Sequence, residues 1–460
     1  MKRTRAFTSL TVTVAALVIV SVCVADAQPP HPREGLPNMG FDVKPVESFS
    51  GSWATRKRED QPPSATIPAL KDLHIETALA SAVIVTPAGD RYAAAVARIV
   101  AAVKDAGGVD LPVIEATDDL LPEDLLATGN IIALGNMSTN PVIFRLYCQW
   151  LTLLDLKWPG AGGHALLSLH NPFGSGHNVI LVGGSDDAGV MASARLLAER
   201  IAAQDGRVTL GWLHEISLGG EVDLPDVADR VHTWSAPPSS KKPYAFNSIA
   251  TQACLYYMTG EARYLEQFKR LAFSRPGDVP EELVKDYAYW NPANPLVENY
   301  HYYSHLVPYL WDLIEESPLL TDDERVYITN KLIEQQDHYD PNDNFGAPNG
   351  GRHEIYQMLN IYTGSLYLAK YYPEQRWAQR LANIRAAFGA WYESRTWGEL
   401  DNIAWLPTSI EPIIGFFLLD GSWERFVEAN GVSEMISPQR MLWTGSGSCE
   451  VNGSQSLNMM

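Results

Sequence analysis

The chain is poor in cysteine and in positive charge. It has 4 cysteines, and 35 lysine and arginine residues stand against 54 aspartate and glutamate residues, which gives a formal charge of −19 at pH 7. So acidic a chain is a poor general ligand for nucleic acid, and we expect no nucleic-acid partner. Beyond residue 27 the cysteines are Cys148, Cys254 and Cys449, and this odd, widely spaced set excludes a disulfide framework or a metal knuckle. We expect Cys148 and Cys254 to be small buried residues.

Long apolar runs are also absent, except for one near the N-terminus. Three basic residues among the first five precede an apolar stretch at 6–20, and Ala25-Asp26-Ala27 has the small-x-small pattern of a cleavage site. These features predict a secretory signal peptide over residues 1–27. A membrane anchor is the alternative, but the run is short for a bilayer. Cleavage removes three positive charges and one negative, so the formal charge becomes −21, and we expect a secreted or periplasmic protein without a membrane partner.

The first half of the chain predicts a small domain of strands and helices. Residues 28–69 are rich in proline, serine and charge and have no period, which is typical of an extended leader. Over residues 70–218, helical patterns at 91–106 and 187–203 alternate with short apolar segments. Those segments are residues 81–85, 112–115, 130–135 and 178–184. Alternation of this kind predicts an α/β sandwich with a mostly parallel sheet.

The turn at residues 183–187, Gly-Gly-Ser-Asp-Asp, lies between a predicted strand and a predicted helix. Such a turn can bind an anion at the helix N-terminus. No GxGxxG pattern or Walker lysine accompanies it, so the favoured interpretation is a tight turn with Asp186 or Asp187 as the helix N-cap.

Helical patterns dominate residues 244–435, after a linker at 219–243 that is dense in proline, glycine and serine. They form four pairs: 246–259 with 263–272, 299–315 with 322–337, 354–370 with 375–394, and 410–419 with 423–430. A helical-hairpin repeat of roughly 55 residues predicts an α/α toroid whose inner helix ends line a cleft. The tail at 436–460 is irregular and has no stop signal, so we expect a toroid that is incomplete at its C-terminus.

Three clusters of polar and aromatic residues lie at the starts of the inner helices, on what we expect to be one rim of the cleft. The first cluster is Glu298, Asn299, His301, Tyr302, Tyr303 and His305. The second is Asn349, Arg352, His353, Glu354 and Tyr356. The third is Asp401, Asn402, Trp405 and Glu411.

These residue types meet the needs of β-elimination from a uronic acid. A cation or an amide must neutralise the carboxylate beside the departing proton, a base must take that proton, and an acid must protonate the leaving oxygen. Arg352 and Asn349 suit the neutralising role. His353 or His301 suits the base, and the acid is one of three tyrosines: Tyr356, Tyr302 or Tyr303. We expect these residues of the three clusters to bind substrate: Glu298, Asn299, Tyr303, Glu354, Asp401, Asn402, Trp405 and Glu411.

Two other functions remain open. A glycoside hydrolase needs two carboxylates across the cleft, which Glu298, Glu354, Asp401 and Glu411 can supply. A non-catalytic glycan-binding protein needs only an aromatic platform, and Trp405 is either that platform or a plug between hairpins. His301 and His305 are spaced like half of a zinc site, but a core-lining pair is favoured because no third ligand is evident. We expect no metal and no cofactor.

The overall plan resembles the α/α-toroid polysaccharide lyases, the heparinase II/III-like and alginate-lyase-like group. The segment NGGRHEIYQMLNIYTGSLYLAKYYPE at residues 349–374 is similar to their helix that carries Asn and His ahead of a Pro-Glu end. The α/β part, with its glycine-ended strand, looks like the N-terminal accessory domain of α-glucuronidases and hexosaminidases. This resemblance implies a carbohydrate-active enzyme that acts on a uronate-containing polysaccharide. In the polysaccharide lyases of this group, the toroid usually precedes a β-sandwich.

Overall fold

The structure is a computed structural model of the 460-residue chain. It describes residues 66–67, 69–71, 76–203, 208–220, 222, 224, 245–273, 296–297, 305–339, 352–394, 406–432, 449–451 and 455–457. The predicted signal peptide, most of the predicted leader and linker, and much of the C-terminal tail lie outside these ranges.

A six-stranded mixed sheet organises the first half of the described chain. Its strands are β2 (Ala82–Thr86), β3 (Val113–Glu115), β4 (Asn130–Gly135), β5 (His164–Leu169), β6 (Val179–Gly184) and β8 (His214–Ser217). Their order is β3-β2-β4-β6-β5-β8; the first four strands are parallel, and β5 pairs antiparallel with both β6 and β8. Two short strands, β1 (Thr77–Ala78) and β7 (Thr209–Leu210), pair separately, as do β9 (Cys449–Val451) and β10 (Gln455–Leu457).

The central strands are buried on both faces, because alternate side chains of each strand enter two different cores. On one face, Ile84, Ile132, Leu166 and Ile180 pack against the helices α1 (Ala93–Gly107) and α4 (Asp187–Ala202). The opposite face belongs to a core that also contains α3 (Pro141–Cys148) and the second half of the chain. A short helix, α2 (Pro122–Leu126), precedes β4. The sheet is thus the middle of three layers.

Helices make up the described second half of the chain up to residue 432. They are α5 (Ala245–Thr259), α6 (Ala262–Ala272), α7 (Leu306–Ile314), α8 (Asp322–Tyr339), α9 (Arg352–Tyr371), α10 (Gln375–Ser394), α11 (Leu406–Leu419) and α12 (Trp423–Glu428). Neighbouring helices pack as α5 with α6, α9 with α10, and α11 with α12. The first helices of the predicted pairs also pack in succession, α5 with α7, α7 with α9, and α9 with α11.

The two halves share one hydrophobic core. Val85, Ala133 and Leu167 of the sheet belong to the same buried cluster as Ile249 of α5 and Trp311 of α7. The helical half therefore packs directly on the sheet. A second, all-helical cluster joins α9, α10 and α11, with Phe388 and Phe416 stacked at 3.9 Å between ring centroids. None of the helices in the described ranges is long and apolar enough to cross a membrane.

The mixed α/β plus helical class agrees with the sequence prediction, with some corrections. The sheet is less parallel than predicted, because β5 pairs antiparallel with both β6 and β8, and neither β5 nor β8 was identified. Residues 67 and 71, at the edge of the predicted leader, are buried at 9% and 8% exposure. Cys148 and Cys254 are half-buried rather than fully buried. Burial raises the pKa of the Cys148 thiol to about 12 and that of Cys254 to about 11.

Candidate functional site

The described residues contain only part of the predicted site. Nine of its members lie outside them: Glu298, Asn299, His301, Tyr302, Tyr303, Asn349, Asp401, Asn402 and Trp405. Arg352, His353 and Glu354 form the first turn of α9, although their side chains are not among those described. Tyr356, Glu411 and His305 are described in full, and they lie together.

Tyr356 and Glu411 join two of the predicted clusters by a hydrogen bond. The Tyr356 hydroxyl donates to Glu411 Oε2 at 2.8 Å, which links the second turn of α9 to α11. Tyr356 is buried, with 3% of its surface exposed. The contact between α9 and α11 brings the two residues together although 55 positions separate them in the chain. A phenol bonded to a half-buried carboxylate is a pair that can hold and move a proton.

The environment of Glu411 favours its protonated form. Burial raises the pKa of the Glu411 carboxyl, and the hydrogen bond from Tyr356 offsets only part of this shift. Pro412 follows Glu411 inside α11 and has no N–H, so the helix lacks one backbone hydrogen bond at this point. Glu411 therefore stands at an irregular, desolvated position of the helix. A carboxyl of this kind is a more ready proton carrier than an exposed one.

His305 lies on the other side of the Tyr356 ring. Their ring centroids are 6.0 Å apart, and His305 is 5% exposed just before α7. Burial lowers the pKa of His305 to about 3, so the imidazole is neutral at physiological pH. Among the described residues, its Nδ1 atom has no hydrogen-bond partner. The buried position agrees with the prediction that His305 lines the core.

Sequence patterns missed Trp150, the fourth residue of this group. It follows α3 in the sheet half, and its ring centroid lies 6.3 Å from that of His305 and 6.2 Å from that of Tyr309 on α7. The group therefore runs from Trp150 through His305 to Tyr356 and Glu411. Nothing in the local sequence predicts that residue 150 reaches the helical half, because the contact depends on how the two halves pack.

A second polar group, the Lys71 cluster, is buried between the sheet and the helices. Lys71 Nζ lies 2.9 Å from Glu315 Oε2 and 3.3 Å from Glu316 Oε1, at the end of α7. It also lies 3.4 Å from His170 Nδ1, after β5, and 3.9 Å from the centre of the Tyr371 ring. The backbone N–H of Lys71 donates to the Tyr372 hydroxyl at 3.2 Å.

Nearby carboxylates offset the cost of burying the Lys71 ammonium. Burial alone would lower the pKa of Lys71, but Glu315, Asp312 and Glu316 together raise it above its ordinary value. Lys370 and Asp312 form a further buried ion pair in the same region. Burial and the nearby Lys71 charge lower the pKa of His170 to about 4. The Lys71 ammonium is enclosed by carboxylates and rings, so we interpret the cluster as a buried group of charges that joins the sheet to the helices, rather than as a ligand site.

Two smaller predictions concern ligand binding. The Asp186 side chain accepts a hydrogen bond from the Gly189 N–H at 2.8 Å, which confirms it as the N-cap of α4. The same side chain accepts from the Gly162 N–H at 2.8 Å, so the turn already has an anionic partner. Within the described part of the chain, no group of three or more His, Cys, Asp and Glu residues is arranged to hold a metal ion.

Comparison with protein-family models and with curated proteins gives no match to this chain. The chemistry of the site therefore carries the functional argument. Tyr356, Glu411 and a neutral His305 make a desolvated group that suits proton transfer to or from a polar substrate.

Proposed function

We propose that the protein is a secreted lyase that cleaves a uronic-acid-containing polysaccharide by β-elimination, at a cleft in an α/α toroid. The observation that carries the proposal is the partly buried hydrogen bond of 2.8 Å from Tyr356 to Glu411. The successive packing of α5, α7, α9 and α11 supports the toroid, because these are the helices expected to form its inner ring. The α/β half is then the domain that precedes it.

Tyr356 is the proposed acid of the reaction. In β-elimination a base takes the proton beside the uronate carboxylate, a carbon–carbon double bond forms, and the bond to the leaving oxygen breaks. Tyr356 gives its proton to that oxygen. Glu411 in its protonated form then gives a proton to the phenolate along the Tyr356–Glu411 hydrogen bond, a role that suits a carboxyl whose pKa is raised by burial. The base releases the proton it took to water and Glu411 takes one up from water, so the protons balance over the cycle.

The first turn of α9 supplies the remaining proposed roles. Arg352 and His353 lie four and three residues before Tyr356, so they share its side of the helix. Arg352, with Asn349, neutralises the substrate carboxylate, and His353 or His301 is the base. A neutralised carboxylate makes the neighbouring proton easier to remove, because the charge that develops in the transition state is stabilised.

The test is an elimination assay with the purified protein. A panel of uronate polysaccharides is incubated with the wild type, and the ultraviolet absorbance of the unsaturated sugar is followed. We expect Tyr356→Phe, Glu411→Gln and His353→Ala to lower kcat by about 10²–10⁴-fold, as for lost acid–base groups. Tyr362→Phe is the matched control, because Tyr362 on the same helix also donates to a carboxylate, Asp420 Oδ1, at 2.8 Å.

Equal loss of activity in Tyr356→Phe and Tyr362→Phe would show that the effect is structural and would reject the proposed role of Tyr356. New reducing ends without ultraviolet absorbance would reject elimination in favour of hydrolysis by two carboxylates. Retention on an immobilised polysaccharide without any turnover would favour a glycan-binding protein. Unchanged turnover in Arg352→Ala would remove that residue from the neutralising role.

A further inference from the structure

Trp150 adopts a backbone conformation that bulky residues rarely take. It follows α3 with a φ of 62°, in the left-handed region. For a residue with a large side chain this conformation is unfavourable, because Cβ approaches the following carbonyl oxygen. Such conformations persist only where the surroundings impose them, and they concentrate at functional sites.

Two tyrosine hydroxyls from the helical half hold this conformation. Tyr309 of α7 donates to the carbonyl oxygen of Gln149, the residue before Trp150. Tyr257 of α5 donates to the carbonyl oxygen of Leu151, the residue after it, at 3.3 Å. The peptide group before Trp150 and the peptide group after Leu151 are therefore bonded to two different helices, and these two bonds fix the chain on either side of this residue.

The held ring points into the candidate site. It makes a tilted contact with His305, at 43° between the ring planes, and an edge contact with Tyr309 at 88°. The ring also lies beside α11, since a Cβ atom at Gly415 would be in ordinary contact with it, 3.5 Å from Cη2 of Trp150. Gly415 is one turn after Glu411 on the same side of α11. The ring thus contacts His305 and lies against the helix that carries Glu411.

We propose that Trp150 is a positioning residue of the catalytic site: it holds the His305 ring against Tyr356 and thereby fixes the Tyr356 hydroxyl on Glu411. This inference rests on the proposed lyase function. It makes the sheet half part of the catalytic unit, because the residue that orders the site is contributed by the loop after α3. Misplacement of a reacting group by a fraction of an ångström lowers the rate without a matching loss of substrate binding.

The key variant is Trp150→Gly. Glycine adopts the φ of 62° without strain, so the variant removes the ring and keeps the backbone path. We expect kcat on the best uronate polysaccharide to fall about tenfold or more while KM stays within about twofold. Trp150→Phe, which keeps an aromatic ring, is expected to recover most of the loss. Tyr309→Phe keeps every ring and removes only the hydroxyl that holds Gln149, so we expect a smaller fall in kcat.

The pKa of His305 separates positioning from a general structural effect. Without the indole ring, water reaches His305, and its depressed pKa rises toward its ordinary value. We therefore expect the His305 pKa, measured from the pH dependence of its imidazole NMR signals, to be higher in Trp150→Gly than in the wild type. An unchanged His305 pKa, or kcat within twofold of wild type, overturns the inference. A wild type that catalyses no elimination overturns the proposed function itself, and this inference with it.

Discussion

Replacing Lys71 with methionine is expected to destabilise the protein more than any loss of a surface ion pair. The side chain is 3% exposed, and its ammonium is the cation facing both Glu315 and Glu316 within the described part of the chain. Methionine fills much of the same volume but leaves these two carboxylates buried without that charge. Removing one partner of a buried ion pair typically costs about 3–5 kcal/mol, because the other charge remains desolvated.

A matched control is the ion pair between Lys104 and Asp110. Its Nζ–Oδ1 distance of 2.8 Å is close to that of the Lys71–Glu315 pair, but its side chains are 58% and 72% exposed. We expect Lys104→Met to leave the unfolding midpoint unchanged within error, since water solvates both charges. Chemical denaturation followed by circular dichroism and by tryptophan fluorescence measures both variants. Two probes are needed because a chain of this size need not unfold in a single step.

The pH dependence of Lys71→Met provides a second check. Burial raises the pKa of the Glu315 carboxyl, and loss of the Lys71 charge raises it further, so Glu315 binds a proton more readily in the folded state than in the unfolded chain. The loss of stability is therefore expected to shrink as pH falls from 8 toward 5. In the wild type the pKa of Lys71 is raised, so the contribution of Lys71 is complete throughout this range. A Lys71→Met midpoint equal to that of Lys104→Met at pH 8 would refute the structural role assigned to the cluster.

Further predictions concern buried histidines and two helix glycines. His170 and His305 have pKa values of about 4 and about 3, below the ordinary value of 6.5, so their neutral forms stabilise the fold above pH 6.5. That stability should be lost as pH falls toward 4, by about 3 kcal/mol for His170, and His170→Gln should flatten this part of a plot of melting temperature against pH. Gly189→Ala should destabilise by at least about 2 kcal/mol, because its Cβ would lie 2.0 Å from the Gly163 carbonyl oxygen. Gly389→Ala, with nothing within 4 Å of the added carbon, should instead stabilise α10 by about 0.5–1 kcal/mol in the same denaturation assay.

Local sequence patterns predicted those helices and strands whose apolar residues are spaced in a way that favours one type of element. The bounds of β4 and α10 match the sequence prediction, since a continuous apolar run ending in glycine and a long amphipathic segment each have one favoured structure. The antiparallel strand β5 was missed. Its sequence, HALLSL, is a short apolar run that has neither strict alternation nor a helical period, and its place in the sheet depends on pairing with β6 and β8.

The site was predictable in residue type but not in geometry. Tyr356 and Glu411 were named from the polar clusters that open their helices, whereas their hydrogen bond depends on the packing of α9 against α11. Trp150 and Lys71 were missed because their partners are far away in the chain and come from the other half of the fold. A left-handed φ at a tryptophan has no signature in the amino-acid sequence.

The most direct test of the proposed chemistry is the source of oxygen in the cleaved product. A uronate polysaccharide that the protein cleaves is digested in water enriched in the heavy isotope of oxygen, and the masses of the products are measured by mass spectrometry. Elimination breaks the chain without adding water, so we expect an unsaturated sugar and no heavy oxygen, and we expect Tyr356→Phe to give no product. One heavy oxygen per cleaved bond would establish hydrolysis and contradict the central claim.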